Sequence, residues 1–501
     1  MIRRVLVANR GEIAVRIIRA CRELGLETVA VHSTADVQSP HVGLADTAVE
    51  VGPAPASESY LAVSKVVDAA RRSGADAVHP GYGFLAENAE FAAACADAGL
   101  VFVGPPAAVI ARMGSKVAAR ALMERAGVPT VPGATPPDQT VAGITAAADQ
   151  VGYPLLLKAS AGGGGKGMRL VGARTSLEEA VASARREAVA AFGDGTLYVE
   201  RLIEHPRHVE FQVMADAAGR IVHLFERECS VQRRHQKIVE ESPSVALTPR
   251  LRARMGEAAV AAARAAGYVN AGTVEFLLDG SGDDARFYFL EMNTRLQVEH
   301  PVTEVVTGVD LVRTQLAVAG GAPLPWRQDQ LTQRGHAVEC RIYAEDPEAG
   351  FLPQAGRLLL YREPSGPGVR VDAGVVEGGE VPVHYDPLIA KLIAGAETRL
   401  AAIERAAAAL ARYPVLGVRT NVAFLGRVLG HAAFRDGGVD TGFVQRELPA
   451  LLAAPPTATV HLAMAAAASV AGTVAGPALS HVHRPDTADP WRSLGRWRRP
   501  C

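Results

Sequence analysis

The chain has 501 residues, 49% of them apolar, and a formal net charge of −1. That length suggests three or four domains with ample material for packed cores, and the near-neutral balance excludes a general attraction to nucleic acid or an anionic membrane, so partners have to be read from local sites. The five cysteines, Cys21, Cys95, Cys229, Cys340 and Cys501, are far apart and odd in number, which points to reduced thiols in a cytosolic protein and away from a disulfide frame.

Met1-Ile-Arg-Arg-Val-Leu-Val-Ala8 lacks the apolar core of a signal peptide. Residues 5–8, the helical spacing over 12–24 (Ile13, Ile17, Ile18, Cys21, Leu24) and the apolar run 28–31 make a β-α-β start. The turn Asn9-Arg-Gly-Glu12 holds a single glycine, so a dinucleotide fingerprint is missing. Strands are expected at 77–78 and 100–103. His79-Pro-Gly-Tyr-Gly-Phe-Leu-Ala-Glu-Asn88 follows the first of these, where open α/β sheets place ligands. The pattern changes near Gly114-Ser-Lys116, and Gly127-Val-Pro-Thr-Val-Pro-Gly133 reads as a boundary.

Residues 153–158 and 168–171 are expected strands joined by Ala159-Ser-Ala-Gly-Gly-Gly-Gly-Lys-Gly-Met168. This is neither a strand-to-helix dinucleotide turn nor a P-loop. A glycine-rich hairpin can still lay backbone N–H groups over phosphates, and Lys158 and Lys166 flank it, so we read it as a phosphate-covering flap. Alternating strands follow at 197–203 and 207–213. Residues 226–237 crowd cations between apolar Leu224-Phe225 and Ile238-Val239, a candidate lining for an anion cleft.

Runs 272–278 and 286–290 flank the turn-rich Asp279-Gly-Ser-Gly-Asp-Asp284 and predict a hairpin that brings Glu275 next to Glu291. The continuation Glu291-Met-Asn-Thr-Arg-Leu-Gln-Val-Glu-His-Pro301, taken as extended, puts Glu291, Asn293, Arg295, Gln297 and Glu299 on one face. Two acids with Asn293 suit an oxygen-ligand Mg²⁺ site, and the guanidinium suits a small planar anion. One helix is expected over 304–319, then the linker Gly320-Gly-Ala-Pro-Leu-Pro-Trp326, a strand over 336–342, short strands and turns over 356–391, and an Ala-rich helix near 399–412 that closes the third domain. The uncharged run 462–479 is mostly alanine with Gly472, Gly476 and Pro477, and reads as a packed or loosely ordered helix instead of a membrane span.

These segments together resemble the biotin carboxylase component, the alpha subunit, of a biotin-dependent acyl-CoA carboxylase of acetyl- or propionyl-CoA type, in the ATP-grasp superfamily. The likeness runs from about residue 2 to residue 445. Its motifs are Ala8-Asn-Arg-Gly-Glu-Ile-Ala14, the 79–88 segment, Lys158 with 162–168, Arg207-His-Val-Glu210, Arg233-Arg-His-Gln-Lys237, the 291–301 segment and Glu339-Cys-Arg341.

The resemblance implies an α/β fold. It comprises an N-terminal Rossmann-like domain (1–114), an ATP-grasp domain (115–326) with a mobile glycine-rich lid at about 133–205, and a C-terminal β-rich biotin carboxylase domain (327–447). A tail (448–501) looks like the start of a truncated next domain. It further implies ATP binding by Lys116, Lys158, Gly164, Gly165, Lys166, Glu200, Arg201, Leu202, Ile203, His208, Gln232, His235, Glu275 and Glu291. Mg²⁺ or Mn²⁺ would be held by Glu275, Glu291 and Asn293. Bicarbonate would be gripped by Lys237, Arg295, Gln297 and the Val298 backbone and deprotonated by Glu299, and biotin would face Tyr82 and Arg341. Arg295, Glu299, Lys237 and Arg341 would then be catalytic.

Implied partners are a biotin carrier domain, a carboxyltransferase beta subunit and further copies in an oligomer. The chain departs from the family in three ways. It has no Ala-Met-Lys-Met site, so biotin is expected from another chain or a missing extension. Its 275–291 loop looks longer than in compact stand-alone members. It has Pro367 where those members carry an aromatic residue in their two-fold dimer contact.

Overall fold

The computed structural model describes residues 2–160 and 168–453. Expectations at Gly164, Gly165 and Lys166, and for the helix over 462–479, lie outside the described residues.

The N-terminal part is a parallel sheet of β1 (Arg4–Val7), β2 (Glu27–Ser33), β3 (Thr47–Gly52), β4 (Ala77–His79) and β5 (Val101–Phe102), in the order β3-β2-β1-β4-β5. Helix Gly11–Glu23 follows β1 directly and buries Ile13, Ile17 and Ile18, as the helical spacing requires. The 79–88 segment leaves the carboxyl end of β4.

A four-stranded antiparallel sheet follows: β6 (Gly133–Ala134), β7 (Leu155–Ala159), β8 (Arg169–Val171) and β9 (Leu197–Arg201), in the order β6-β9-β7-β8. Strand alternation divides its side chains. Leu155, Leu157, Leu197 and Val199 are buried with Ile144, Ala148, Val181 and Ala184 from helices Val141–Val151 and Leu177–Phe192. Leu156 and Lys158 point the other way, into a cavity.

The central feature is an eight-stranded antiparallel sheet. It is built from β10 (Arg207–Ala215), β11 (Ile221–Arg233), β12 (Gln236–Ser242), β13 (Asn270–Asp279), β14 (Arg286–Asn293) and β15 (His336–Tyr343), with strands Leu388–Ala396 and Val369–Ala373 beyond β15. The expected strands at 197–203 and 207–213 thus fall in different sheets. β12 pairs with β15 in the register Val239↔Cys340 and Glu240↔Glu339, so one sheet runs through both the middle and the C-terminal third of the chain.

Helix Pro249–Ala266 covers one face, burying Leu251, Met255 and Ala259 in a cluster with Phe211, Val274 and Phe276. Its start is set by Thr248, whose Oγ1 accepts the Leu251 N–H at 3.1 Å, and by Pro249 in the first turn. Charged side chains gather on the opposite face.

Three expectations are corrected. β14 stops at Asn293, and 294–299 are bends and a turn instead of continued strand, because helix His300–Thr307 begins there with a proline in its first turn. The single helix expected over 304–319 is two, His300–Thr307 and Leu311–Ala319. Gly308 adopts φ +71° between them, and Asp310 caps the second by accepting the Arg313 N–H at 2.8 Å. Helix Arg399–Leu410 does not close the C-terminal part; Val422–Gly430, Ala432–Arg435 and Phe443–Leu452 follow and bury Phe424, Leu425, Phe434 and Phe443 in the same core.

Candidate functional site

A cavity of about 490 Å³ is lined on one side by Leu156, Lys158 and residues 200–203 and on the other by the charged face of the eight-stranded sheet. Register explains the charge. Glu210 on β10 lies directly opposite Glu275 on β13, which lies directly opposite Glu291 on β14. Like charges facing one another across strands are destabilising, so this row of three carboxylates needs cations.

Lys237 supplies one. Its Nζ donates to Glu275 Oε1 at 2.9 Å, to Glu299 Oε1 at 2.7 Å and to Glu210 Oε2. The other oxygen of Glu299 accepts from Arg341 Nη2 at 3.0 Å, and Arg341 Nε also donates to Glu240 at 2.5 Å. Burial alone would push the Glu299 carboxyl up, but Lys237, Arg341 and Arg227 together hold it well below the usual carboxylate range. Glu275 is held down in the same way, against burial, by Lys237 and by His208, whose Nε2 lies 2.8 Å from Glu275 Oε2. Lys237 is itself driven well upward, because its carboxylate neighbours outweigh the burial that would lower it.

Beyond the end of β14 the side chains remain convergent despite the loss of strand geometry. Arg295 donates to Gln297 Oε1 at 2.5 Å and to Asn293 Oδ1 at 3.0 Å, while Gln297 and Asn293 both donate to Glu275 Oε1, at 3.1 and 2.8 Å. Hydrogen bonds, not pleat alternation, therefore keep Asn293, Arg295, Gln297 and Glu299 on one wall.

The Glu291 side chain completes the carboxylate row and makes no hydrogen bond or salt bridge among the described residues. Burial, and after it the Glu275 charge, raise its pKa. The expected metal set fits this arrangement: a hard divalent cation would take Glu291, and would compete with His208 for Glu275 Oε2 and with Arg295 for Asn293 Oδ1. Two other groupings, His208–Glu210–Glu275 and Glu210–Cys229–Glu299, have ligand-like spacing, but the Lys237 ammonium already serves their carboxylates.

The far end of the cavity is apolar, with Val131, Leu156, Met168, Leu202, Ile203, Leu277 and Leu290 in its lining. At its rim Glu200 accepts from Lys158 at 2.5 Å and from Arg120 at 3.0 Å. Lys116 also lines the cavity; burial lowers its pKa, and Glu291 acts against that. Gln232 and His235 come in beside the tight β11–β12 turn, where Arg234 and His235 adopt φ of +49° and +68°. Arg201 turns its guanidinium to the Tyr288 hydroxyl at 3.1 Å.

Of the expected residues that are described, only Tyr82 lies outside this cavity. It lines an adjoining hollow of about 460 Å³ with Tyr343, His384 and Tyr385, and Arg295, Val298 and Arg341 border both spaces. A larger hollow of about 750 Å³ beside Arg10 and residues 374–382 contains none of the expected residues.

Several side chains tied into the site were not singled out from sequence. Glu87 accepts Arg295 Nε at 2.9 Å and the Thr294 N–H at 3.0 Å. Glu210 and Glu240 anchor Lys237 and Arg341. Arg120 shares Glu200. Glu87 and Glu210 sit inside quoted motifs, so their signal was present; Arg120 and Glu240 had none, since their roles depend on pairing with distant strands. In the cation-rich 226–237 segment, Arg227 lies opposite Glu210 on the same face but beneath the cavity wall, fully buried on Glu210, Gln212, Thr273 and Thr303.

Comparison with known proteins follows this geometry. Family profiles match residues 1–110 as the N-terminal domain of biotin carboxylase, 115–327 as the ATP-binding domain of the carbamoyl-phosphate synthase L chain and 339–446 as the biotin carboxylase C-terminal domain. A biotin carboxylase from Halalkalibacterium halodurans is 50% identical over 451 residues, covering 89% of this chain and 98% of the relative. The mitochondrial methylcrotonoyl-CoA carboxylase subunit alpha of Dictyostelium discoideum is 49% identical over 499 residues, 99% of this chain and 70% of the relative, and the chain spans 60% of its counterpart from Glycine max. Among solved structures, the biotin carboxylase domain dimer of Hydrogenobacter thermophilus 2-oxoglutarate carboxylase, in complex with MgADP, ADP and bicarbonate, superposes with a TM-score of 0.87 at 46% identity, covering 91% of this chain and all of that one.

Proposed function

The chain belongs to the biotin carboxylase family, and from that premise we propose how its own residues run the ATP- and bicarbonate-dependent carboxylation of biotin N1′. The observation that carries the proposal is the shared use of Glu299 by Lys237 and Arg341 on the wall of a cavity that also holds the Glu275–Glu291 pair.

ATP lies with its base against the apolar end, near Leu202 and Ile203, and its phosphates toward Lys116, Lys158 and His208. Glu275, Glu291 and Asn293 would hold Mg²⁺ or Mn²⁺, which offsets phosphate charge when bound. Bicarbonate enters among Lys237, Arg295, Gln297 and Val298.

A carboxylate gripped by two cations is a weak base. As bicarbonate draws the Lys237 donor to its own oxygens, the Glu299 carboxylate becomes more basic and takes the bicarbonate proton. The freed oxygen attacks the γ-phosphorus, ADP departs, and carboxyphosphate breaks into CO₂ and phosphate. Phosphate then takes the N1′ proton of biotin, which sits between Tyr82 and Arg341. Arg341 offsets the enolate charge while N1′ attacks CO₂.

We further propose that this is the first half-reaction of a carboxylase whose biotin arrives on a carrier and whose carboxyltransferase is a separate component. The acceptor belongs to that component. Relatives named for methylcrotonoyl-CoA favour it over the acetyl- or propionyl-CoA expectation. The reducing compartment expected from sequence fits the four described cysteines, all buried and unpaired, and no helix among the described residues is long and apolar enough to cross a membrane.

The test is ATP hydrolysis by the purified chain with and without bicarbonate and free biotin. Hydrolysis that requires bicarbonate and rises with biotin supports the proposal; hydrolysis indifferent to both overturns it in favour of another ATP-grasp ligase or a nucleotide-sensing scaffold.

A further inference from the structure

Strand Leu388–Ala396 places Lys391 directly opposite Arg341 on one side and opposite Asp372 on the other. Lys391 is fully buried. A buried ammonium next to a buried guanidinium is a costly choice, since both ions lose water and like charges face each other across strands. The carboxylates of Glu12, Glu339 and Asp372 keep Lys391 charged, and the group its ammonium donates to points to a use beyond that balance.

Its Nζ donates to the Val298 carbonyl at 2.7 Å and lies 3.3 Å from Glu12 Oε1. That same Glu12 oxygen accepts the Tyr82 hydroxyl. Glu12 is fixed in turn: it lies in the first turn of helix Gly11–Glu23, and that helix start packs so tightly on Gly374 that a Cβ at 374 would collide with the Glu12 backbone nitrogen. Val298 borders the cavity proposed for bicarbonate, and Tyr82 borders the adjoining hollow proposed for biotin.

Resting on the function proposed above, we infer that Lys391 and Glu12 form a positioning pair that sets the 297–299 turn against Tyr82, so that the grip on bicarbonate and the wall facing biotin are adjusted together. Neither residue touches the reacting atoms. Lys391 holds the main chain of the anion-binding turn through one carbonyl, and Glu12 relays the same ammonium to the tyrosine hydroxyl. ATP contacts lie on other elements and are outside this linkage.

Steady-state kinetics of the whole chain with ATP, bicarbonate and free biotin test it. Lys391→Met is expected to raise the KM for bicarbonate and for biotin about tenfold each, the loss of one charge-assisted hydrogen bond, with the KM for ATP within about twofold. Glu12→Gln, which keeps an acceptor for Tyr82 but removes the charge, is expected to raise the KM for biotin and spare that for ATP; it carries the test if Lys391→Met fails to fold. KM values for all three substrates that shift together, or that do not shift at all, overturn the pair and leave Lys391 a packing residue. A wild-type chain that ignores bicarbonate and biotin defeats the function itself, whereas a responsive wild type with unchanged variants defeats only the pair.

Discussion

Replacing Glu299 by glutamine separates the base from the scaffold. The substitution keeps the shape and removes one charge from a site in which Lys237 and Arg341 each hold a second partner. Lys237 retains Glu210 and Glu275, and Arg341 retains Glu240. Neither cation is orphaned, so the loss in stability should stay near about 1–3 kcal/mol, the range for a damaged buried hydrogen bond, below the ~3–5 kcal/mol expected when a buried charge is left with no partner.

The catalytic loss should be larger. A positioned general base contributes about 10²–10⁴-fold, which corresponds to roughly 3–5 kcal/mol of barrier. Glu299→Gln is therefore expected to bind ATP with near wild-type affinity and to lose bicarbonate-dependent hydrolysis by at least about a hundredfold. Equilibrium unfolding, nucleotide titration and ADP release measure the three quantities. A variant that keeps more than about a tenth of the wild-type rate would refute the role of Glu299 as base.

Glu291→Gln removes a carboxylate whose side chain makes no hydrogen bond or salt bridge among the described residues, so it should raise the Mg²⁺ concentration for half-maximal hydrolysis by at least about tenfold. It should not lower the melting temperature, because it relieves like-charge repulsion with Glu275. Acid should act through Glu275 and Glu299. Both carboxyls lie below their ordinary value of 4.5 in the folded chain, so their stabilisation is complete above that pH and is lost as pH falls through their folded values. The melting temperature of the wild type should therefore drop more steeply than that of Glu299→Gln when pH is lowered from about 5 to about 3; parallel curves would contradict the ion pairing described.

Local patterns carried much of this in the sequence. The 279–284 turn between two apolar runs predicted the hairpin, in which a register shift between Glu275 and Phe276 then sets Glu275 opposite Glu291, and helical spacing located helix Gly11–Glu23. The extended reading of 291–299 went wrong because alternation of polar and apolar residues also suits a turn whose side chains are held by one another, as Arg295, Asn293 and Gln297 are. The continuous sheet across β12 and β15 was invisible because its pairing joins residues about a hundred positions apart, and linear patterns carry no register at that distance. Lys391 and Glu240 were missed for the same reason: each looks like an ordinary polar residue within a strand, and only the fold sets them beside Val298 and Arg341.

The central claim is that bicarbonate itself attacks the γ-phosphate between Arg295, Lys237 and Glu299. Turnover with heavy-oxygen-labelled bicarbonate and free biotin tests it directly, because attack by a bicarbonate oxygen must leave that oxygen on the released phosphate. Labelled phosphate, formed in step with carboxylated biotin and absent with Glu299→Gln, is the predicted result. Phosphate whose new oxygen comes only from water would contradict the account.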